Sequence, residues 1–229
     1  MNKALSQNLE NLHQYWLALG AEQSGELFQH TSWPNKRWNS TFSFSNVFSR
    51  VGERLSTIDQ VDASKLNECS KDLGFTLQAM MQLEVMTLTL PTSSEYKTHD
   101  EITHISTTDQ ARKWTLACSE AFAYSLDETV IQHVLKDPNC YLFALFKDGK
   151  IAGTVLLFQT GRTLGIHQLG TVRAFRKMGV AAQLMAHSLS FASELGCDYA
   201  VLQASKAGIP LYSKLGFERL ATITSVQAV

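Results

Sequence analysis

The arrangement in this chain most capable of chemistry lies in residues 168–185, QLGTVRAFRKMGVAAQLM. Arg176, Gly179 and Ala181 fall in the order Arg-x-x-Gly-x-Ala, with Arg173 and Lys177 beside them. Apolar residues precede this run and an amphipathic stretch follows it, so the loop leads from a strand into a helix. A helix N-terminus offers unpaired N–H groups at the positive end of its dipole. A glycine in its first turn lets a ligand come close to the backbone. Together these features make a cradle for an anion such as a pyrophosphate, spread over Arg176, Lys177, Met178, Gly179, Val180 and Ala181. A six-residue pattern is weak evidence alone, because Arg and Gly meet in many loops by chance. A second stretch of note lies further along the chain. It runs from Ala204-Ser205 to Pro210-Leu211-Tyr212-Ser213-Lys214-Leu215-Gly216-Phe217.

The elements that must position these residues are clearest after residue 97. EITHIS (101–106) alternates as a short strand, and Thr107-Thr108-Asp109 can cap a helix running to about Tyr124. Asp127 or Ser125 opens a second helix that stops before Pro138. CYLFALFK (140–147) and IAGTVLLFQ (151–159) read as strands joined by the turn pair Asp148-Gly149. After Gly161-Arg162, LGIHQLGTV (164–172) forms a third strand. Val180, Leu184, Phe191 and Leu195 share one face of a helix that Gly196 ends. Residues 199–204 form a strand, 209–215 a short helix stopped by Gly216, and 217–227 a last strand. The whole is a mixed α/β (α+β) layer structure.

The two motifs, in this order of elements, resemble the GNAT superfamily of acyl-CoA-dependent N-acyltransferases over roughly residues 98–229. The resemblance implies the GNAT fold, a mixed, mostly antiparallel sheet flanked by helices. It also implies acetyl-CoA as cosubstrate and a primary amine, on a small molecule or a peptide, as acceptor. The amine would attack the thioester directly in a ternary complex. Leu169, Gly170 and Thr171 would pair with the pantetheine arm, and the loop from Arg176 to Ala181 would hold the pyrophosphate through backbone N–H groups. Arg173 and Lys177 would add charge or form a solvated surface pair. Ser205 stands where an asparagine is common in the family. Tyr212 stands where the family's general acid protonates the departing thiolate; its alternative is a packed tyrosine ahead of Leu-Gly-Phe. The third strand lacks the Asp or Glu that often serves as base, which leaves His167 as the candidate base, with a structural histidine or a water relay as alternatives. Glu120 and Tyr124 are candidates for lining the amine pocket.

The first half is less legible. Leu5, Leu9, Leu12, Trp16 and Leu19 sit at helical spacing before Gly20. Glu26–Ser45 suggests two strands about a turn at Pro34-Asn35, and Asp62–Gly74 a helix. Residues 75–90 are open between helix and strand, ending in a strand-like MTLTL. The polar stretch Pro91–Glu95 suggests a connection, which divides the chain into an N-terminal α/β region (1–96) and an acetyltransferase domain (97–229). The N-terminal region would be a degenerate GNAT-like copy or an unrelated extension. Trp33, Trp38, Phe42 and Phe44 suggest a core, with the lining of an acceptor pocket as the alternative, and His187 a core or boundary histidine on the apolar face of the long helix.

Composition excludes other classes. The chain has 229 residues with 20 basic and 21 acidic side chains, and 45% are apolar. That suits a folded core and neither a disordered chain nor a strongly basic nucleic-acid binder. The four cysteines, Cys69, Cys118, Cys140 and Cys197, are never closer than 22 positions, so zinc spacing is lacking and no metal is expected. No signal peptide and no apolar run of membrane-spanning length is seen, and the expected place is the cytoplasm. A homodimer stays open; neither nucleic acid nor membrane is expected as a partner. The rival reading is a catalytically inactive acyl-CoA-binding regulatory module.

Overall fold

The computed structural model describes residues 2–91 and 101–229. In chain order the elements are α1 (Lys3–Ala18), β1 (Glu22–Ser24), β2 (Leu27–Gln29), β3 (Arg37–Asn39), β4 (Arg54–Thr57), α2 (Ala63–Ser70), β5 (Leu77–Thr89), β6 (Ile102–Ile105), α3 (Thr108–Phe122), α4 (Glu128–Val134), β7 (Cys140–Lys147), β8 (Lys150–Thr160), β9 (Thr163–Thr171), a 3-10 turn (Arg173–Phe175), α5 (Val180–Glu194), β10 (Tyr199–Ala204), α6 (Ile209–Lys214) and β11 (Glu218–Ala228). The expected connection at Pro91–Glu95 lies, after Pro91, outside the described residues.

Two compact units form, and they do not follow a cut near residue 97. One contains residues 1–20 and 87–202, the other residues 21–86 and 203–229. The reason is the apolar stripe of α1. Leu9, Leu12, Tyr15 and Trp16 are buried, and the helix packs on β8 and β9 instead of on its sequence neighbours.

In the first unit the strand order is β10-β9-β8-β7-β6. The pairs β6/β7, β7/β8 and β8/β9 are antiparallel, and β9/β10 is parallel. Ala152 to Phe158 of β8 are all buried. Such an unbroken run means both faces are covered, because successive side chains point to opposite sides. The helices α1, α3 and α5 supply that cover. Helix α3 starts with a capping box between Thr107 and Gln110, and its buried Trp114 donates Nε1–H to the Phe143 carbonyl at 2.9 Å. Gly153 allows the close approach of α5: a Cβ there would lie 2.5 Å from Val180 Cγ1.

In the second unit β11 pairs antiparallel with β4, within the order β4-β11-β5. A separate antiparallel sheet runs β1-β2-β3. Glu26–Ser45 holds the two expected strands, β2 and β3, on either side of Pro34-Asn35; β1 precedes them across a turn at Gly25, φ +62°. The open stretch 75–90 is strand almost throughout. A core of Phe48, Leu55, Leu66, Leu77, Val226 and Ala228 holds this unit. Trp38 and Phe42 are fully enclosed.

Candidate active site

The loop before α5 takes two left-handed residues, Lys177 at φ +65° and Gly179 at φ +78°. Gly179 is the N-cap residue of α5, and no side chain caps that end. The first backbone bond of the helix runs from Gln183 N–H to the Gly179 carbonyl, 3.0 Å. The N–H groups of Val180, Ala181 and Ala182 therefore keep the open donors expected of a first turn. Arg173, Arg176, Lys177, Met178 and Gly179 are exposed, whereas Val180 is buried and anchors the turn. The result is a run of open backbone donors with positive side chains around it, suited to an anion.

Arg176 is committed elsewhere. Its Nη2 donates to the Ala121 carbonyl at 3.0 Å, in the last turn of α3. Its Nε–H lies 3.5 Å from the Thr171 carbonyl. The guanidinium ties loop, strand end and helix end together.

Strand β9 carries an irregularity at the site. Thr154 pairs with Gly170 but Leu156 pairs with His167. Two steps on β8 therefore face three on β9, which is a bulge. Gln168 sits there at φ +49°, and its carbonyl accepts from the Thr154 hydroxyl at 3.2 Å. Register with β10 runs only from Tyr199/Thr163 to Val201/Gly165. Beyond Gly165, including Leu169, Gly170 and Thr171, that edge of β9 has no β10 partner in register among the described residues. Backbone groups on such an edge can pair with an extended ligand. Gly170 is needed for packing: a Cβ there would lie 2.8 Å from Phe122 Cε2 and 2.9 Å from Ala121 Cβ.

The Gln168 side chain is the centre of a polar group within the first unit. Its Oε1 accepts from the Tyr124 hydroxyl at 3.4 Å and is 3.7 Å from Cys118 Sγ. Burial pushes both the Tyr124 phenol and the Cys118 thiol up to about 12. The wholly enclosed Tyr15 hydroxyl faces Gln168 without reaching hydrogen-bond geometry. Glu120 is exposed, and its backbone carbonyl takes the Ala123 N–H at 3.3 Å.

His167 does not fit a base. It is buried at 7% exposure, stacked on Tyr15 with ring centroids 3.8 Å apart. Asn11 donates Nδ2–H to the Phe158 carbonyl at 2.9 Å. Its Oδ1 therefore faces His167 Nε2 at 3.3 Å, which assigns the proton to Nε2. Burial drives the imidazole down to about 3. The expectation of a catalytic His167 gives way to a structural one, because α1 covers the ring.

Tyr212 and Ser205 belong to the second unit. The Tyr212 ring covers Gly208, where a Cβ would lie 2.6 Å from Tyr212 Cε2. It meets Phe217 edge-on at 6.0 Å. Burial pushes its phenol up to about 12. Ser205 is exposed, and its carbonyl accepts from Gly208 and Ile209 N–H at 2.9 and 3.2 Å.

A sequence profile described as the acetyltransferase (GNAT) family matches residues 102–217. The chain belongs to the GNAT acetyltransferase family. Solved structures share its fold over nearly its whole length. A GCN5-related N-acetyltransferase from Kribbella flavida has a TM-score of 0.65 at 14% identity, covering 100% of this chain and 96% of that one. A protein described as a GNAT-family acetyltransferase from Novosphingobium aromaticivorans gives 0.62 at 12% identity, covering 99% and 97%. A functionally unknown conserved protein of Staphylococcus epidermidis gives 0.58 at 12% identity, covering 91% and 93%. No curated protein matches the chain.

For a GNAT acetyltransferase the first unit brings together the loop, the bulged strand and the end of α3. It also adds residues that sequence reasoning gave no role. Gln168 was legible only as a polar strand residue, and its left-handed backbone comes from the bulge. Asn11 and Tyr15 carry no motif; their place follows from α1 docking. Among the described residues no group of three or more His, Cys, Asp or Glu could hold a metal. No helix among them is long and apolar enough to cross a membrane.

Proposed function

We propose that this GNAT acetyltransferase is an acetyl-CoA-dependent N-acetyltransferase acting on a primary amine of a small molecule or peptide. The observation that carries the reading is the uncapped N-terminus of α5, preceded by left-handed Lys177 and Gly179. The N–H groups of residues 178–181 would hold the pyrophosphate, with Lys177 and Arg173 adding positive charge. The open edge of β9 at Leu169–Thr171 would align the pantetheine arm. Acetyl-CoA supplies a thioester carbonyl that a neutral amine can attack directly.

Holding both substrates side by side would supply much of the acceleration, and a backbone N–H of β9 would meet negative charge on the carbonyl oxygen. Tyr212 is the proposed acid for the departing thiolate. Its phenol keeps its proton at neutral pH, as a donor must. Tyr124 and Gln168 are the proposed polar contacts for the amine, with Glu120 a more exposed one. With His167 enclosed, the amine's proton would leave through water. The cysteines, all free among the described residues, need no part in the transfer and accord with the cytoplasm as its place of work.

Calorimetric titration with acetyl-CoA, with ATP and NAD as controls, tests the first half of the proposal. A screen of amines by free-thiol release tests the second. Selective binding followed by amine-dependent thiol release supports an enzyme. Binding with no release from any amine would leave an acyl-CoA-binding module, which the absence of a carboxylate on β9 favours. No binding in a folded, CoA-free sample would overturn the acetyl-CoA assignment.

A further inference from the structure

A cavity of about 490 Å³ in the second unit has no role in acetyl transfer. Its lining includes four cations, Lys36, Arg37, Arg50 and Arg54, against one carboxylate, Glu53. None of these residues belongs to the 176–181 loop. Glu53 cannot balance the three arginines. Its oxygens already accept from the Ser49 N–H at 2.6 Å, the Ser49 hydroxyl at 3.1 Å and the Arg50 N–H at 3.4 Å. They also pair with Arg37 at 3.4 Å and Arg50 at 3.9 Å. Arg37 gives Nη2–H to the Val47 carbonyl at 3.1 Å; its Nη1 has only the long ion pair with Glu53, and its Nε is enclosed without a hydrogen-bond acceptor among the described residues. Arg54 gives Nε–H to the neutral Gln227 amide at 3.0 Å. The three arginines around one carboxylate leave a surplus of positive charge in a concave, partly desolvated place. Burial and the Arg54 charge pull the Lys36 ammonium down to about 8, a sign of the same strain.

We propose that this cavity binds a small molecule bearing at least two negative charges on phosphate or carboxylate groups. Lys36, Arg50 and Arg54 would contact the anion, and Arg37 would add charge from beneath. Guanidinium forks match either group bidentately, and the volume lies in the range of small-molecule pockets. The concave form and a chain charge of −1 disfavour a nucleic-acid strand, which follows extended basic tracks.

Calorimetry on the full chain with citrate and with inorganic pyrophosphate tests this at constant ionic strength, with folding checked by melting. Saturable binding is expected, retained in Gly179→Glu and weakened at least about tenfold in Lys36→Gln and in Arg54→Gln. Arg50→Gln guards against misfolding, because that side chain is 82% exposed, and weaker binding is expected there too. At pH 8 binding should take up part of a proton in wild type and none in Lys36→Gln, since an anion restores the Lys36 charge. No binding of either anion to wild type would overturn the proposal. So would equal affinity in the Lys36, Arg50 and Arg54 variants, or an acidic peptide or oligonucleotide binding where both small anions fail.

Discussion

Arg176 and Ala121 are joined by a hydrogen bond of 3.0 Å between the guanidinium and the backbone carbonyl. The anion loop is thereby fastened to the last turn of α3, where a cation also meets the negative end of the helix dipole. Gly170 lies against the same turn, so loop, bulged strand and helix end support one another.

Arg176→Met removes that fastening without touching the N–H groups of α5. Stability should fall by about 1 kcal/mol, the usual worth of a charged bond at a helix end. Acetyl-CoA affinity should fall by roughly tenfold, the scale set by one misplaced contact. Denaturant unfolding and calorimetry read the two effects separately. Unchanged affinity would show that the loop holds its shape alone.

Gly179→Ala and Gly179→Glu separate strain from charge. The left-handed backbone at φ +78° makes alanine cost about 1 kcal/mol. Glutamate adds the same strain and a negative charge in the phosphate place. Alanine should weaken acetyl-CoA modestly and glutamate should abolish binding. Near-wild-type affinity in the glutamate variant would sink the cradle.

Tyr212→Phe should lower turnover by roughly 10²-fold, the lower end for lost acid catalysis, with acetyl-CoA affinity almost unchanged. Because the phenol is pushed up to about 12, it stays protonated through the alkaline range in common use. Wild-type kcat/KM should therefore show no decline below about pH 10 from this group. A turnover equal to wild type would remove Tyr212 as the acid.

His167 supplies a pH test of stability. Its folded pKa of about 3 lies below the ordinary value of 6.5. Unfolded chains therefore bind the proton more readily, and the protein should lose stability as pH falls from 6.5 toward 3. The loss is on the order of a few kcal/mol. His167→Gln should flatten that slope in acid melting curves and keep turnover at neutral pH. Turnover collapsing in a stable His167→Gln protein would restore the base assignment.

The local chemistry was readable because it is local. Arg176, Gly179 and Ala181 mark a strand-to-helix loop, Asp148-Gly149 a hairpin and Leu215-Gly216-Phe217 a helix stop; each reflects backbone preferences of adjacent residues. The stretch 75–90 was ambiguous because its apolar residues fit both periods, and pairing in a sheet decided it as β5. The anchor of the loop was hidden because Arg176 and Ala121 are 55 positions apart.

From its sequence alone the chain determines the order of elements after residue 97, the anion loop and membership of an acyl-transfer fold, since these depend on periodicity and turn chemistry within a few residues. Only the tertiary structure decided that α1 belongs with β8 and β9, that His167 is sealed under Tyr15 and Asn11, and that a bulge turns Gln168 toward Tyr124. It also gathered Lys36, Arg37, Arg50 and Arg54 around one cavity. Those outcomes rest on contacts between distant segments, where burial and register select among arrangements that the local pattern leaves equal.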